Sequence, residues 1–414
     1  MKKQTRIHYG LAAALLLAAA SAGLGQPTGN PGSPGEGTPD TIRVTGTNAA
    51  VRLGEEKPTL VAVSGFTGEA AQVIYFDLYV QGFAYTNAEA AQYLVSGSNY
   101  NELRAVATDA VNKHVFVNQS YSGGTPRRQA HQFVDDFLRS IGRVGLGQGE
   151  VAFKGENGSG AEIYLSDFDG HNPRQLTRDK VIVSAPCWVP GHRALYYTSY
   201  LKIHPGIYFH NVATGERRIF ARYGGCNISP AVSPDGSQVA MILSKDGWTD
   251  LYVGTSDGST PVRLTKSPQD ESSPCWSFPD GRWICYASKD NERRSLSIIP
   301  VGGGKSQRLN TGGFPNPSEP DWSPDGKLIA FTSQSGAYFT ICVMGAPGEK
   351  QPPVKLVEGE DPSWGPNSRT LVFARRAGGK GNYVLSLLDV HTKQVKDVSR
   401  ISGISSQSQP SWAR

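Results

Sequence analysis

Three short patterns in the sequence contain residue types that catalysis or metal binding requires. Gly254-Thr-Ser-Asp-Gly258 has the G-x-S-x-G form in which hydrolases present a nucleophilic serine on a strained turn between a strand and a helix. Asp167-Phe-Asp-Gly170 has the opening of a calcium-binding loop, but the later acidic ligands of such a loop are missing. His204 and His210 have no cysteine or carboxylate group beside them. The context of these patterns decides between chemistry and structure.

That context is a repeated unit, which predicts that all three patterns are structural. The segment around Ser256 aligns with the segments that contain Asp167 and Asn211, and each of them follows a strand-like run and has the composition of a β-turn. The tryptophans that recur in the repeat are expected to pack in a core rather than to stack on a ligand. We therefore expect no catalytic residue, no metal site and no cofactor.

The repeat has a period of 42 to 48 residues and begins to dominate the sequence near residue 149. Each copy has one anchor position with a proline two residues before it, and the anchors are Trp188, Val232, Trp276, Trp322, Trp364 and Trp412. Most anchors are followed by a Pro-Asp-Gly segment or a variant of it. Such a segment predicts a turn, because proline fixes φ and glycine accepts positive φ. Three further strand-like runs complete each copy. Four strands per copy at this period predict a β-propeller.

Six copies predict a six-bladed β-propeller over residues 149–414, and the whole chain is expected to be mainly β. The first copy starts at Glu150 and lacks a first strand. The last copy, Pro410-Ser-Trp-Ala-Arg414, contains only a first strand. We expect this C-terminal strand to complete the first blade and close the ring, which removes open sheet edges.

The residues before the propeller divide into three segments. Residues 1–22 have a basic start, an apolar run and a small-x-small site ending at Ala22, which predicts a signal peptide cleaved near Ala22 and export of the protein. Residues 23–40 are rich in glycine and proline and predict a flexible leader. Residues 41–148 combine strand-like runs with an amphipathic helix over 129–141, and they predict a small α/β domain. The run 74–81 is compatible with either a strand or a helix.

Charge and cysteine content exclude several classes of function. The net charge of +5 includes three lysines and arginines of the signal peptide, which leaves a nearly neutral mature chain without a basic cluster for nucleic acid. No other apolar run is long enough for stable membrane insertion. Five cysteines in 414 residues do not form a disulfide framework. They are expected to be buried thiols, and the redox state of Cys275 and Cys285, which flank one turn, stays open.

The repeated Pro-x-Trp-Ser-Pro-Asp-Gly segments, the Arg-x-Leu-Thr strand ends and the order of the domains resemble the TolB family of periplasmic Tol–Pal proteins. This resemblance implies a non-enzymatic adaptor whose propeller binds the peptidoglycan-associated lipoprotein Pal, with roles in outer-membrane integrity, envelope constriction at division and protein import. It also implies contact with the inner-membrane protein TolA through the mature N-terminus, where this chain has its Gly/Pro leader.

The family's contact face implies a set of candidate partner-binding residues. Loops that lead into the inner strands contribute Asn227, Ser229, Glu271 and Ser272. Hairpins between the second and third strands, expected on the same face, contribute Tyr200, Lys202, Trp248, Asn291 and Arg293. Two alternatives are a TolB-like propeller that binds another envelope ligand and a propeller hydrolase, which would need a nucleophile or paired carboxylates in the central channel.

Overall fold

The structure, a computed structural model, describes residues 52–414 apart from 159, 291–292, 378–381 and 400. The predicted signal peptide and leader lie outside the described residues, as does Asn291.

The first part of the described chain is a five-stranded sheet with two helices. Its elements are β1 (Thr59–Ser64), α1 (Gly68–Tyr79), β2 (Phe83–Tyr85), β3 (Tyr93–Ser98), β4 (Leu103–Asp109), β5 (Val115–Tyr121) and α2 (Pro126–Ser140). The strand order is β2-β1-β3-β4-β5, in which β1 runs parallel to both of its neighbours. The helices and the sheet enclose one apolar core. The ambiguous run 74–81 is therefore mostly helical, and the amphipathic helix begins earlier than predicted, where Thr125 accepts a hydrogen bond from the Arg128 N–H.

The rest of the chain forms six four-stranded antiparallel sheets. The chain enters with β6 (Glu150–Glu156), β7 (Ala161–Asp167) and β8 (Arg174–Gln175). Blade 1 contains β9 (Val183–Trp188), β10 (Ala194–Ser199), β11 (Gly206–Asn211) and β12 (Arg217–Ala221). Blade 2 contains β13 (Asn227–Val232), β14 (Gln238–Leu243), β15 (Asp250–Thr255) and β16 (Val262–Arg263). Blade 3 contains β17 (Asp270–Trp276), β18 (Trp283–Asp290), β19 (Arg293–Pro300) and β20 (Gln307–Arg308).

Two further blades and one closing strand complete the ring. Blade 4 contains β21 (Pro317–Trp322), β22 (Leu328–Ser335), β23 (Tyr338–Gly345) and β24 (Val354–Glu358). Blade 5 contains β25 (Glu360–Trp364), β26 (Thr370–Arg376), β27 (Tyr383–Asp389) and β28 (Val395–Asp397). The last strand, β29 (Ser406–Trp412), pairs with β6 and becomes the inner strand of blade 6. The predicted mainly β fold and the closure by the C-terminal strand are confirmed.

The repeated turns explain why each blade begins in the same way. In blade 4, the Asp325 carboxylate accepts hydrogen bonds from the Ser323 hydroxyl at 2.6 Å and from the Lys327 N–H at 3.1 Å. Gly326 follows with a φ of 80°, a left-handed conformation that glycine adopts without steric cost. Blade 2 repeats this arrangement around Asp235. The chain then reverses into the second strand, and the anchor side chain is buried between blades.

The α/β domain packs against blades 5 and 6 on the side of these turns. Val80, just after α1, belongs to the same apolar cluster as Phe168 and Trp412 of the propeller. Backbone carbonyls of the domain accept hydrogen bonds from the propeller, at 3.2 Å from the Thr370 hydroxyl to Val80 and at 2.9 Å from the Gln394 amide to Phe83. The domain boundaries drawn from the sequence stay a prediction.

Candidate functional site

One face of the propeller, here called the loop face, carries the loops that lead into the inner strands and the hairpins between second and third strands. In blade 1 the N–H of Tyr200 donates to the Ile182 carbonyl at 3.0 Å, which places the hairpin after β10 beside the start of β9. Antiparallel pairing of the inner two strands repeats this placement in the other blades. The two groups of predicted partner-binding residues therefore belong to the same face.

Four of the predicted residues reach solvent on the loop face. Tyr200 and Lys202 lie in the hairpin of blade 1, Trp248 lies in that of blade 2, and Arg293 begins β19 of blade 3; all four are exposed. Trp248 exposes 55% of its surface, which is unusual for so large an apolar side chain and makes it available to a partner.

Asn227 is fully buried, and its side chain holds the loop that precedes β13. Its amide N–H groups donate to the carbonyls of Tyr223 at 2.9 Å and Pro205 at 3.1 Å, and its carbonyl accepts from the Tyr223 N–H at 2.8 Å. These bonds tie the loop to the end of the neighbouring blade 1 hairpin. The buried side chain of Asn227 thus fixes the conformation of a loop on the loop face. A direct contact between Asn227 and a partner stays a prediction.

Glu271 is also enclosed, although the sequence places it in a loop. One carboxylate oxygen accepts a hydrogen bond from the Ser267 hydroxyl at 3.1 Å, and the other has no hydrogen-bond partner among the described residues. Burial raises the pKa of Glu271 to about 7, although the nearby hydroxyls of Ser288 and Ser267 oppose the shift. Its neighbour Ser272, like Ser229 in blade 2, is half-buried in the inner strand.

The structure adds apolar residues that the sequence interpretation missed. Ile203 exposes 96% of its surface and Leu201 exposes 40%, both in the same hairpin as Tyr200. Tyr200, Leu201, Ile203 and Trp248 are called the crest below. Their signal in the sequence is an apolar side chain inside a hairpin, where polar residues are the rule.

The loop face carries unpaired exposed cations and, elsewhere, a group of enclosed carboxylates. Exposed cations on blades 1 to 3 include Lys202, Arg222 and Lys266, and none of these three forms an ion pair with a described residue. On blades 4 and 5, Glu319, Glu360 and Asp361 approach one another. Burial and then Glu319 raise the pKa of Glu360 to about 7, and the same two causes raise that of Asp361 well above its usual range. The three cations lie near the crest, where the carboxylates of Asp246 and Asp270 are also exposed.

The inner strands surround a central channel with a cavity of about 250 Å³. Two layers of side chains line the channel. One layer comes from the residue three positions before each anchor, and the other from the residue directly before each anchor. The first layer is Ala185, Ser229, Ser273, Glu319, Asp361 and Gln409, all with positive φ between 49° and 56°. The second layer is Cys187, Ala231, Cys275, Asp321, Ser363 and Ser411. Side chains that accept hydrogen bonds through oxygen are concentrated on blades 4 to 6 in both layers.

In that polar half, each inner strand is bonded to the next by a side-chain acceptor. In the first layer, Asp361 accepts from the Gln409 N–H at 2.9 Å, and Gln409 accepts from the Ala185 N–H at 2.9 Å. In the second layer, Asp321 accepts from the Trp364 N–H at 2.7 Å and Ser363 accepts from the Trp412 N–H at 3.1 Å. These bonds join the strands on both sides of the closure.

Arg414 spans the channel at the end of the closing strand. Its guanidinium forms an ion pair with Asp321 and donates to the carbonyls of Trp322 at 3.1 Å and Trp364 at 3.3 Å. The guanidinium also lies 5.0 Å from the centre of the Phe278 ring, and Phe278 belongs to blade 3. One side chain thus connects the closing strand to blades 3, 4 and 5.

The patterns with apparent chemistry have structural roles. Ser256 lies in a turn, and its carbonyl accepts a hydrogen bond from Arg218 at 3.2 Å. Asp169, in the calcium-like segment, forms an ion pair with Arg127 of α2. His210 is buried beside Tyr197, with 3.4 Å between the imidazole nitrogen and the phenol oxygen. Within the described residues, no three His, Cys, Asp or Glu side chains are arranged to hold a metal ion.

The cysteines are free thiols, and Cys275 lies directly opposite Cys285 on the paired strands β17 and β18. Burial raises the pKa of the Cys275 thiol, and the neighbouring Cys285 raises it further. In the part of the chain that the structure describes, no helix has the length and hydrophobicity needed to cross a membrane.

These features define the class of protein: a six-bladed β-propeller, closed by its last strand, that carries a small α/β domain and offers a ring of loops for binding. Comparison with known proteins makes this specific. The family model described as the TolB beta propeller domain matches residues 142–414, and the chain belongs to the TolB family.

Individual relatives agree with this assignment. The chain is 31% identical over 337 residues to the Tol-Pal system protein TolB of Bordetella pertussis, a match that covers 68% of this chain and 76% of that relative. It is 28% identical over 185 residues to the Tol-Pal system protein TolB of Desulfosudis oleivorans, which covers 43% of this chain and only 42% of the relative. The crystal structure of TolB from Acinetobacter baumannii has the same fold, with a TM-score of 0.77 and 21% identity over 86% of this chain and 97% of that one.

Proposed function

We propose that this protein is a non-enzymatic periplasmic adaptor of a Tol–Pal-like system, which binds a Pal-type peptidoglycan-associated lipoprotein through its loop face. The observation that carries the proposal is the crest, where apolar side chains are exposed on the face for which the resemblance to the TolB family implies Pal binding. Its relatives are named as Tol-Pal system proteins.

The chemistry of the crest suits a protein partner. A buried isoleucine or tryptophan contributes about 1.5–3 kcal/mol relative to an exposed one, so Ile203 and Trp248 are the strongest candidates for anchors. Lys202, in the same hairpin as Ile203, and Arg222, after the last strand of blade 1, form no ion pair with a described residue, which favours a partner with acidic groups. Asn227 and Glu271 support this surface by fixing its loops, while Ser229, Ser272, Arg293 and Asn291 remain candidate contacts.

The remaining parts of the chain fit the same role. The leader and the α/β domain would face the inner membrane and contact a TolA-like protein, and the propeller would contact the lipoprotein. Through these contacts the protein would support outer-membrane integrity, envelope constriction during cell division and protein import. An adaptor needs no cofactor, and we assign none.

The test is titration calorimetry of the mature protein with the soluble domain of the Pal-type lipoprotein from the same organism. We expect saturable binding with a Kd of about 10 μM or below, equivalent to about 7 kcal/mol or more. Absence of heat at tens of micromolar, with both proteins folded by circular dichroism, would contradict the proposal. A parallel titration with the periplasmic domain of the TolA-type protein tests the second contact.

A further inference from the structure

A cluster of buried charges lies where the α/β domain meets the propeller, and neither the loop face nor the channel uses it. Its centre is His131 of α2, whose Nδ1 lies 2.6 Å from Oδ2 of Asp77 on α1. On its other side, Nε2 lies 3.4 Å from Oδ2 of Asp169, which belongs to the turn between β7 and β8 of the propeller. The side chains of all three residues are at least 95% buried.

The positions of the two ring nitrogens determine the charge of His131. An ionised carboxylate has only acceptors, so a nitrogen that faces one must carry a proton. Nδ1 donates to Asp77, whereas Nε2 is buried without a hydrogen bond to a described residue and meets Asp169 only as an ion-pair contact at 3.4 Å; two carboxylates on opposite sides of the ring favour the imidazolium. Burial alone would lower the pKa of His131, but Asp77 and Asp169 raise it to about 10. Burial raises the pKa of Asp77 to about 6 although His131 opposes it, so both groups are charged at neutral pH.

Further charged groups surround this centre. Arg127 of α2 forms ion pairs with Asp169 and, at 3.1 Å, with Glu69 of α1. Asp135 of α2 adds a further negative charge near the ring, and its carboxylate accepts a hydrogen bond from the Gly147 N–H at 2.9 Å. From the propeller, the His171 ring nitrogen lies 3.3 Å from the other Asp169 oxygen.

Removal of the charge would leave two buried carboxylates on opposite sides of the domain contact. Asp77 would have no cation beside it, and Asp169 would retain Arg127. A buried charge that loses its partner strongly destabilises the arrangement that encloses it. The apolar contact beside the cluster, where the Phe168 ring lies 5.5 Å from the imidazole, would become the main force holding this side of the interface.

We propose that His131 is a charge lock between the two domains: its imidazolium joins Asp77 of the α/β domain to Asp169 of the propeller and holds the domains in one arrangement. The lock lies on the side of the propeller that faces the α/β domain. It determines whether this domain can move relative to the ring, independently of the lipoprotein contact.

Two variants and one control test the lock. H131Q removes the charge, whereas D169N removes the propeller carboxylate, which pairs with both His131 and Arg127, and leaves the Asp77–His131 pair intact. H192Q changes an exposed histidine in a turn of blade 1 and serves as the matched control. For each protein we would measure hydrogen exchange of the connecting segment 142–149 and the radius of gyration by small-angle scattering. The imidazole pKa of residue 131 would be followed by nuclear magnetic resonance in the wild type and in D169N.

We expect exchange in the connecting segment to accelerate by about tenfold or more in H131Q and D169N, with a larger radius of gyration, and no change in H192Q. The imidazole should be protonated at pH 8 in the wild type, and its pKa should fall by about one unit or more in D169N. Wild-type exchange and scattering in H131Q would overturn the lock whatever D169N shows, because Arg127 also pairs with Asp169. An H131Q protein that unfolds beside an unchanged D169N protein would also overturn it, because His131 would then act only inside the α/β domain.

Discussion

The ion pair between Asp321 and Arg414 is predicted to stabilise the closed ring, and a double-mutant cycle measures its contribution. The two side chains are 18% and 13% exposed, so solvent screens the pair weakly. Arg414 also donates to two backbone carbonyls, and Asp321 accepts from the Trp364 N–H. Each single variant therefore leaves charged or polar groups enclosed without their partner.

The magnitude follows from these contacts. Loss of one member of a buried pair costs about 3–5 kcal/mol, and the residual exposure reduces our expectation to about 2–3 kcal/mol for D321N and for R414M. Because the double variant leaves neither charge unpaired, it should be little worse than either single variant. The expected coupling energy is about 2 kcal/mol.

The assay is urea unfolding at pH 8, followed by tryptophan fluorescence, of the wild type, both single variants and the double variant. Asp321 has a pKa raised by burial despite Arg414, and alkaline conditions favour its ionised form. The control cycle uses Glu102 and Arg104, an exposed pair whose coupling should stay below about 0.5 kcal/mol. A coupling energy for Asp321 and Arg414 as small as that of the control would refute the assigned role.

Two further predictions concern stability. The pKa of Glu271 is about 7 in the folded protein against an ordinary value of 4.5. Protonated Glu271 therefore stabilises the folded state fully below pH 4.5, and this stabilisation is lost as the pH rises through 7. E271Q should match the wild type in urea unfolding at pH 4.5 and exceed it by about 2–3 kcal/mol at pH 8; equal stability at both pH values would disprove this. Gly326 and Gly236 occupy equivalent turns with positive φ. A Cβ on Gly326 would collide with the Phe278 carbonyl oxygen at 2.4 Å, whereas a Cβ on Gly236 would lie 3.6 Å from its nearest neighbour, which is an ordinary van der Waals contact. G236A should cost about 1 kcal/mol in thermal or urea unfolding and G326A clearly more, and equal losses would contradict the close approach.

Most of the architecture could be predicted because the propeller repeats its own signals. Each anchor occurs two residues after a proline, so six weak local patterns support one another. The run 74–81 had no such support: a short apolar segment fits either a strand or a helix, and only packing against α2 and the sheet determines that it is helical.

The candidate site was less accessible to prediction. Exposure of Trp248 agreed with its position in a hairpin, but Asn227 and Glu271 are enclosed by the folding of their own loops, which no local pattern reveals. In the charge lock, Asp77 and His131 meet inside the α/β domain, and they reach Asp169 only when the domains pack. Such long-range contacts depend on tertiary structure rather than on composition or period.

The affinity of crest variants for the Pal-type lipoprotein tests the central claim most directly. We predict that the double variant I203D/W248A binds the lipoprotein's soluble domain at least about 100-fold more weakly than the wild type, since two anchors are removed. V262D places the same charge on an exposed apolar site of the outer strand of blade 2 and should leave the affinity unchanged. Equal affinity of the crest variant and the wild type, with both folded, would contradict the assignment of the loop face.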